Sequence, residues 1–210
     1  MPIEIIPFIL GELLNKTYLV GDPDSRIAVV VDPSFGAADI LEYARANRWH
    51  LRQVWLTHAH FDHYAGSQEV AGAFAPALPV GMHPGDIELW RSGGDGRLFG
   101  LNVDPGPEPT ISFYHGQRLH IGGAVLEVRH APGHSRGSVV LYSAEAGALL
   151  CGDVIFQGGI GRTDLPGGNL PVLLHSIRTQ VLTLPDETRL LPGHGEESTV
   201  GIEKAGNLFL

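Results

Sequence analysis

The segment LTHAHFDHYAG, residues 56–66, constrains this chain more than any other part of its sequence. Within six positions it holds three histidines and one aspartate, namely His58, His60, Asp62 and His63. A hydrophobic core does not tolerate such side chains without partners, and a surface loop does not need them. Neutral imidazole and carboxylate are ligands that zinc and other first-row ions favour. The segment therefore predicts a metal site in which His58 and His60 serve one ion and Asp62 and His63 a second.

Three later segments also place a potential metal ligand directly after a short apolar run. They are PGHS with His134, CGD with Asp153 and PGHG with His194. Functional groups of layered α/β proteins cluster in loops at one edge of the sheets, so these strand ends predict one shared site. Asp153 has two carboxylate oxygens and is the natural bridge between two ions. A fortuitous polar turn is the alternative interpretation, which the full set of seven side chains disfavours.

Apolar runs and helical spacing divide the chain into short alternating elements. We predict strands at residues 27–32, 53–58, 78–83, 124–130, 138–143, 147–153 and 188–195. We predict helices at residues 37–48, 66–76 and 169–182, the last with Asn169 as its N-cap. The Gly-, Asp- and Pro-rich stretch 91–109 is predicted as a long loop and a candidate flap over a site. Because the second half repeats the first in outline, we expect one domain over residues 1–210, with halves near 1–105 and 106–210.

The composition argues against several classes of function. The chain has 210 residues, a formal net charge of −9 and no cluster of Lys or Arg, which disfavours a nucleic-acid partner. Its single cysteine, Cys151, allows no intrachain disulfide. No apolar run reaches the roughly 18 residues of a membrane span, and the N-terminus lacks the basic start of a signal peptide. We therefore expect a soluble, cytoplasmic protein without a membrane partner, and the oligomeric state stays open.

The motifs THAHFDH, PGHS, GD and PGHG occur in an order that resembles the metallo-β-lactamase-fold superfamily. Members of that superfamily share a four-layer αββα sandwich with a metal site at one edge of the sheets. The resemblance implies two divalent ions, zinc in the first place, with iron or manganese as alternatives. It assigns the seven ligands as one group of His58, His60 and His134, a second group of Asp62, His63 and His194, and Asp153 between them.

Two further stretches resemble the short glyoxalase II-like hydrolases, which are similar to hydroxyacylglutathione hydrolases. They are GDVIFQGGIGRTDLPGGN, residues 152–169, and the ending PGHGEESTVGIEKAGNLFL, residues 192–210. Full-length glyoxalase II carries an additional C-terminal helical domain that contributes to glutathione binding, and we expect that domain to be absent here. The resemblance implies a small-molecule substrate, an acyl thioester such as a glutathione thioester. The glutathione site itself cannot be carried over.

The expected chemistry is attack by a water that the metal ions activate near neutral pH. Asp62 is the candidate catalytic residue, because its carboxylate can accept a hydrogen bond from that water. Arg162 could hold a substrate carboxylate or pair with Asp164, and the sequence leaves both open. Tyr64 is a candidate pocket residue.

Several other polar residues receive no catalytic role from the sequence. We expect Cys151 to pack as a small apolar residue and Asp32 to brace a turn near the site. We expect His130 to be a structural residue or an outer partner of the site rather than a ligand. The remaining histidines have no partner pattern: His50, His83, His115, His120 and His175.

The main alternative is an oxidoreductase. Persulfide dioxygenases share the fold and carry a segment similar to GRTD at residues 161–164, with one iron held at positions matching His58, His134 and Asp153. Their segment around the last histidine resembles P-A-H-D, whereas this chain has PGHG at residues 192–195. Flavodiiron proteins are less similar, because they usually place Glu where His60 stands. A non-catalytic metal-binding module is a third class.

Overall fold

The computed structural model describes residues 3–210, which form two six-stranded sheets and one small hairpin. The strands are β1 (Glu4–Leu10), β2 (Asn15–Asp22), β3 (Ile27–Val31), β4 (His50–Trp55), β5 (Val80–Met82), β6 (Ile111–Ser112), β7 (Arg118–Ile121), β8 (Ala124–His130), β9 (Val139–Ser143), β10 (Ala148–Gly152), β11 (Ile155–Phe156), β12 (Gly159–Ile160), β13 (Arg189–Pro192) and β14 (Ser198–Thr199). The first sheet has the order β1-β2-β3-β4-β5-β6 and the second β14-β13-β10-β9-β8-β7, while β11 and β12 pair with each other.

Six α-helices accompany the sheets. They are α1 (Ala38–Ala46), α2 (Phe61–Tyr64), α3 (Ser67–Ala71), α4 (Ile87–Arg91), α5 (Leu170–Ser176) and α6 (Val200–Gly206). A π-helical stretch, Ile177–Val181, continues α5, and short 3-10 turns occupy Pro84–Asp86 and Gly96–Phe99. No helix within residues 3–210 combines the length and the apolar character needed to cross a lipid bilayer.

The first sheet is buried on both faces. In β3, Ala28 and Val30 pack on the side of helix α1, whereas Val29 and Val31 pack towards the second sheet. Alternate residues of a strand point to opposite faces, so a continuous β-branched run fits a strand that is covered on both sides. Ile40 of α1 is fully buried against the outer face.

The second sheet has the same arrangement. In β10, Ala148 and Leu150 face the first sheet, whereas Leu149 and Cys151 face the outer side, where Leu173 of α5 packs. The layers therefore follow each other as helix, sheet, sheet and helix. This confirms the predicted four-layer αββα sandwich.

Strand direction brings several loops to one edge of the sandwich. In the second sheet, β8 and β10 are both antiparallel to β9, and β10 is parallel to β13, so β8, β10 and β13 run the same way. In the first sheet, β3 and β4 are parallel and are joined through α1. Parallel neighbours need such crossovers, and their carboxyl ends lie at the same edge. The similarity of the two halves and the single domain over residues 1–210 stay predictions.

The predicted elements are confirmed in most places and wrong in a few. The strand predicted at 53–58 begins at His50 and ends at Trp55, because Thr57 turns away to hydrogen-bond Asp32. The helix predicted at 66–76 is wrong in extent, since α3 ends at Ala71 before Gly72 and an irregular Pro-containing segment. The elements that were not predicted are strands β1, β2, β6, β7, β11, β12 and β14 and helices α2, α4 and α6. Asn169 does cap α5, accepting a hydrogen bond from the Val172 N–H at 3.1 Å.

Candidate metal centre

All seven predicted ligands lie together at the edge where the carboxyl ends of β4, β8, β10 and β13 meet. His134, Asp153 and His194 each follow their strand within a few residues. The ligands from the motif after β4 occupy an extended loop and helix α2, whose side chains are buried. The structure therefore brings the seven residues of the predicted site together at one edge of the sandwich.

The first group of donor atoms consists of three imidazole nitrogens. The Nε2 atom of His134 lies 2.8 Å from Nδ1 of His60 and 3.2 Å from Nε2 of His58. All three side chains are buried. Each neutral imidazole can direct one nitrogen lone pair to a divalent cation placed among the three rings. The group is chemically suited to zinc or a similar ion.

The second group combines two imidazoles with a carboxylate. The Oδ2 atom of Asp62 lies 3.6 Å from Nε2 of His63 and 3.2 Å from Nε2 of His194. His63 is fully buried, whereas His194 is partly exposed. These three donor atoms fall within the mutual distances of one ion-binding cluster.

Asp153 lies between the two groups. Its Oδ1 atom is 3.3 Å from Nε2 of His63, and its Oδ2 atom is 3.7 Å from Nε2 of His194 and 3.8 Å from Nε2 of His134. One carboxylate therefore reaches donor atoms of both groups. This is the geometry that a bridging ligand requires.

Hydrogen-bond partners outside the donor cluster orient several of its histidine rings. Nδ1 of His134 lies 2.8 Å from the carbonyl oxygen of Arg162, and Nδ1 of His194 lies 3.2 Å from the carbonyl oxygen of Leu13. Since a carbonyl only accepts, each of these Nδ1 atoms carries the hydrogen and each Nε2 presents a lone pair to the cluster. Such contacts fix the tautomer and raise the basicity of a metal-ligating histidine.

Asp32 provides the corresponding contact for His63. Its Oδ2 atom lies 3.1 Å from Nδ1 of His63 and also accepts a hydrogen bond from the Thr57 hydroxyl at 2.6 Å. The Oδ1 atom accepts from the Thr57 N–H at 2.7 Å. Asp32 thus braces the turn before the motif, as predicted, and it also orients a ring of the cluster.

Unpaired buried atoms at the centre fit a metal ion. Among the described residues, Nε2 of His63 and Oδ1 of Asp153 are buried and make no hydrogen bond, although they lie 3.3 Å from each other. Buried polar atoms are almost always satisfied, so such a pair calls for a ligand. A divalent cation satisfies both atoms at once. The donor set and its unpaired atoms therefore fit the two ions that the sequence predicts.

The electrostatics of the cluster favour neutral imidazoles in the first group. Burial lowers the pKa of His58 far below its usual range, and it lowers the pKa of His60 to about 3. Neighbouring histidines add to both effects, because charging two adjacent rings is unfavourable. Both side chains are consequently unprotonated at neutral pH and available as ligands.

Opposite charges dominate the second group. Burial acts to lower the pKa of His63, but the carboxylates of Asp153 and Asp62 outweigh it and raise the pKa well above its usual value. For Asp153 burial acts upward, yet His63 and then His134 bring the pKa down to about 2. The two carboxylates therefore favour a positive charge at this point, which a proton or a metal ion can supply.

Asp86 is a buried positioning residue that the sequence analysis missed. Its Oδ2 atom accepts hydrogen bonds from the Ala59 N–H at 3.0 Å and the Ser135 hydroxyl at 2.6 Å. Its Oδ1 atom accepts from the Gly137 N–H at 2.6 Å. One carboxylate thereby joins the loop after β4 to the loop that carries His134. The only sequence indication was an acidic residue three positions after a predicted strand end.

Asn15 is the second missed residue. Its Nδ2 atom donates a hydrogen bond to Oδ2 of Asp62 at 2.8 Å and lies 3.4 Å from Nε2 of His194. Asn15 begins β2 and is buried. No motif marks it, because it lies 47 residues before the carboxylate it contacts.

An open cavity of about 880 Å³ lies over the cluster. The side chains of His60, Asp62, His134, Asp153 and His194 reach its floor. Its walls come from the loop between β1 and β2, the segment after β3, and the stretch 91–109 through Gly94, Asp95, Phe99 and Leu101. The predicted loop thus borders the site.

The two substrate-binding candidates have different positions. Arg162 lines the cavity, but Nε and Nη2 each donate a hydrogen bond to the carboxylate of Asp164 at 2.8 Å. The salt bridge is therefore the alternative that the structure displays.

Tyr64 does not line the cavity and is fully buried in the core of the first sheet, so its expected place in the pocket is wrong. A helix turns by about 100° per residue, which directs Tyr64 away from the side of His63.

The residues without a predicted role lie outside the cluster. Cys151 is fully buried among apolar side chains, and burial raises the pKa of its thiol. The ring of His130 stacks on that of His83 with 3.9 Å between centroids, and its Nε2 atom lies 3.0 Å from the Arg136 carbonyl oxygen. Both observations agree with the structural roles expected for Cys151 and His130.

Comparison with known proteins shows two relatives that are similar to this chain over nearly its whole length. The chain is 38% identical over 200 residues to the "Probable metallo-hydrolase YqgX" of Bacillus subtilis, covering 93% of this chain and 92% of that protein. It is 34% identical over 212 residues to the "Hydroxyacylglutathione hydrolase GloC" of Haemophilus influenzae, covering 100% and 98%.

Two solved structures are similar over nearly the whole chain. The BLEG-1 B3 metallo-beta-lactamase superposes with a TM-score of 0.90 and 33% identity, covering 99% of each chain. TTHA1623 in a di-iron-bound form superposes with a TM-score of 0.88 and 37% identity, covering 98% of this chain and 100% of that one. The family model described as "Metallo-beta-lactamase superfamily" matches residues 10–194. The chain belongs to the metallo-beta-lactamase superfamily.

Proposed function

We propose that the chain is a metal-dependent hydrolase that cleaves an acyl thioester. The observation that carries the proposal is the position of Asp153 between two groups of converging donor atoms. His58, His60 and His134 would hold one divalent ion, and Asp62, His63 and His194 would hold the other. Zinc is the proposed metal, while iron remains an alternative because one similar structure is described as di-iron-bound.

The chain's own residues would organise the reaction around these ions. When bound, the ions supply a water that is acidic enough to attack near neutral pH, and they polarise the scissile carbonyl. Asn15 holds Oδ2 of Asp62, which leaves the other carboxylate oxygen to accept a hydrogen bond from the attacking water. His134 keeps its proton on Nδ1 through the Arg162 carbonyl, so its Nε2 stays unprotonated.

Thioester hydrolysis balances without an additional reactant. The water oxygen forms a bond to the acyl carbon, the carbon–sulfur bond breaks, and the products are a carboxylic acid and a thiol. No electron acceptor takes part. The fully buried Cys151 has no role, because it does not line the cavity and its raised pKa opposes formation of a thiolate.

Support for a thioester comes from two sources beyond the site. The stretch 152–169 resembles glyoxalase II-like hydrolases, and one relative is named as a hydroxyacylglutathione hydrolase. The cavity has the size of a small-molecule site. Contact between Arg162 and a substrate carboxylate, the cytoplasmic location and the absence of a nucleic-acid partner stay predictions.

Thiol release from S-lactoylglutathione and from neutral acyl thioesters tests the proposal. We expect zinc-loaded protein to release thiol equally in air and under anaerobic conditions, and we expect chelation to abolish the activity. The Asp153→Asn variant, purified and loaded with zinc in the same way, should lose most of its turnover. Circular dichroism should show that it keeps its fold. A metal-replete protein that cleaves none of these thioesters contradicts the proposal.

A persulfide dioxygenase is the alternative function. It would use one iron at His58, His134 and Asp153, which also converge in this structure. The second group of Asp62, His63 and His194 favours the hydrolase, because a mononuclear site leaves it without a role. Rapid oxygen uptake with glutathione persulfide by iron-loaded protein would establish the alternative. A β-lactam belongs in the same assay, since one similar structure is named a lactamase.

A further inference from the structure

We infer that the cavity selects uncharged, apolar thioesters over thioesters of anionic peptide thiols such as glutathione. This inference rests on the proposed function and names its substrate class. It is carried by the walls of the cavity rather than by the metal cluster.

Apolar side chains from three separate segments form these walls. Leu13 comes from the loop between β1 and β2, Phe35 from the segment after β3, and Phe99 and Leu101 from the stretch 91–109. All four are exposed, at 51%, 38%, 51% and 41%. Exposed apolar groups that gather around one cavity mark a binding surface, because scattered ones would need no common location. The mouth of the site is therefore built to take an apolar group.

An aromatic row lines one wall. The ring of Phe61 lies 6.4 Å from that of Phe35 and 5.6 Å from that of Phe99, with interplanar angles of 59° and 42°. Phe61 is buried and supports the two exposed rings. Such a row offers a rigid surface to an alkyl chain or an aryl ring at little cost in side-chain entropy.

The side chains along the walls of the cavity offer little positive charge to an anionic thiol part. Among the described residues, Arg162 is the only Lys or Arg that lines the cavity, and its Nε and Nη2 atoms already donate hydrogen bonds to Asp164. Glu12 and Asp95 add negative charge to the lining. Glutathione carries two carboxylates, and apart from the two ions proposed at the floor of the cavity its walls offer them only Arg162 as a cationic partner. A thioester with a neutral thiol part has no carboxylates that need such partners.

The first measurement compares two series of thioesters with identical acyl groups, from acetyl to hexanoyl and phenylacetyl. One series carries neutral N-acetylcysteamine and the other carries glutathione. We expect kcat/KM of the neutral series to rise about fourfold per methylene until the acyl chain covers the apolar wall. We also expect each neutral thioester to be cleaved more efficiently than its glutathione counterpart.

The second measurement is binding without turnover. Two non-hydrolysable thioethers, S-hexyl-N-acetylcysteamine and S-hexylglutathione, are titrated by calorimetry into zinc-loaded protein. We expect the neutral ligand to bind more tightly than S-hexylglutathione. Phe99→Ala and Leu13→Ser should each weaken binding of the neutral ligand at least fivefold. Phe74→Ala is the matched control, because Phe74 is exposed to 38% and does not line the cavity.

The outcomes separate this inference from the proposed function. Efficient cleavage of glutathione thioesters with no dependence on acyl length overturns the inference and leaves the hydrolase standing. Apolar binding that depends on Phe99, without cleavage of any thioester, supports the inference and overturns the proposed function. Failure of both thioethers to bind, or binding of S-hexylglutathione that is as tight as or tighter than that of the neutral ligand, overturns the inference.

Discussion

The side-chain amide of Asn15 donates a hydrogen bond to Oδ2 of Asp62 over 2.8 Å, which ties the start of β2 to the candidate metal centre. Both side chains are buried, so this bond is protected from competition by water. It places the N-terminal hairpin within the catalytic arrangement, although the hairpin contributes no predicted ligand.

Replacing Asn15 with Ala should impair activity more than stability. The substitution leaves Asp62 without its amide partner, and loss of such an outer contact typically costs about 10- to 100-fold in metal affinity or activity. We expect kcat/KM for thioester cleavage to fall by that amount. Asn47→Ala is the control, because Asn47 is an exposed residue that bonds only the Tyr43 carbonyl. Equal activity of both variants would contradict the role assigned to Asn15.

Asp86 should be necessary for both stability and metal binding. Its carboxylate accepts three hydrogen bonds that join the loops of His60 and His134, and removal leaves their buried donors unpaired. We expect Asp86→Ala to lower the free energy of unfolding by about 3 kcal/mol and to reduce metal content. Urea denaturation and elemental analysis measure the two effects. Asp104→Asn, at an exposed turn, should change neither.

The predictable part of the site lies in short motifs that combine several donors with a strand end. Spacing alone predicts a metal site for one such motif, which contains His58, His60, Asp62 and His63. Spacing does not mark Asn15 or Asp86, because their partners are distant in sequence. Asn15 meets Asp62 at the edge of the first sheet, and Asp86 joins loops of both sheets. A single Asn or Asp at a strand end is equally typical of an ordinary turn.

The fold likewise contains elements that local sequence patterns predict and elements that they do not. Strand β3 and helix α5 were predicted because a β-branched run and an N-capped apolar repeat are strong local patterns. Strand β1 was missed although it has seven residues, since Pro7 interrupts it and its burial alternates only weakly. Proline is tolerated there because β1 lies at the sheet edge, which is a property of the assembled sheet.

Ligand variants should separate the two metal positions. His194→Ala removes a ligand from the second group only, so we expect about one ion per chain and retention of the ion held by His58, His60 and His134. Asp153→Ala affects both groups, and we expect less than one ion. Elemental analysis after dialysis measures the difference, with the exposed His175→Ala as control. Full loss of metal in His194→Ala would contradict two separable positions.

Removal of metal should destabilise the fold without unfolding it. Any ligand that binds only the native state stabilises it by mass action, so chelation should lower the melting temperature by several degrees. The three apolar clusters do not involve the ligands and should keep the sandwich folded. Scanning calorimetry with and without chelator measures the shift. An unchanged melting temperature would contradict metal binding at these buried donors.

Asp22 should make the stability of the fold depend on pH in the acid range. The Gly123 N–H and then the Ser25 hydroxyl hold the pKa of Asp22 at about 2, below its usual 3.8. The folded state therefore binds fewer protons than the unfolded state, so this stabilisation is complete above about pH 4 and is lost as the pH falls towards 2. Because Gly123 precedes β8, the contact joins the two sheets.

Melting of chelated protein between pH 7 and pH 2.5 tests this linkage. We expect Asp22→Asn to melt a few degrees below the parent chain at neutral pH, since the amide cannot accept all the hydrogen bonds of the carboxylate. The difference should shrink as the pH falls from about 4, because the parent chain then loses its ionised Asp22. Glu145→Gln, at an exposed turn, should melt with the parent at every pH. A difference in melting temperature between Asp22→Asn and the parent that stays constant down to pH 2.5 would show that the ionised carboxylate of Asp22 does not stabilise the fold through its charge.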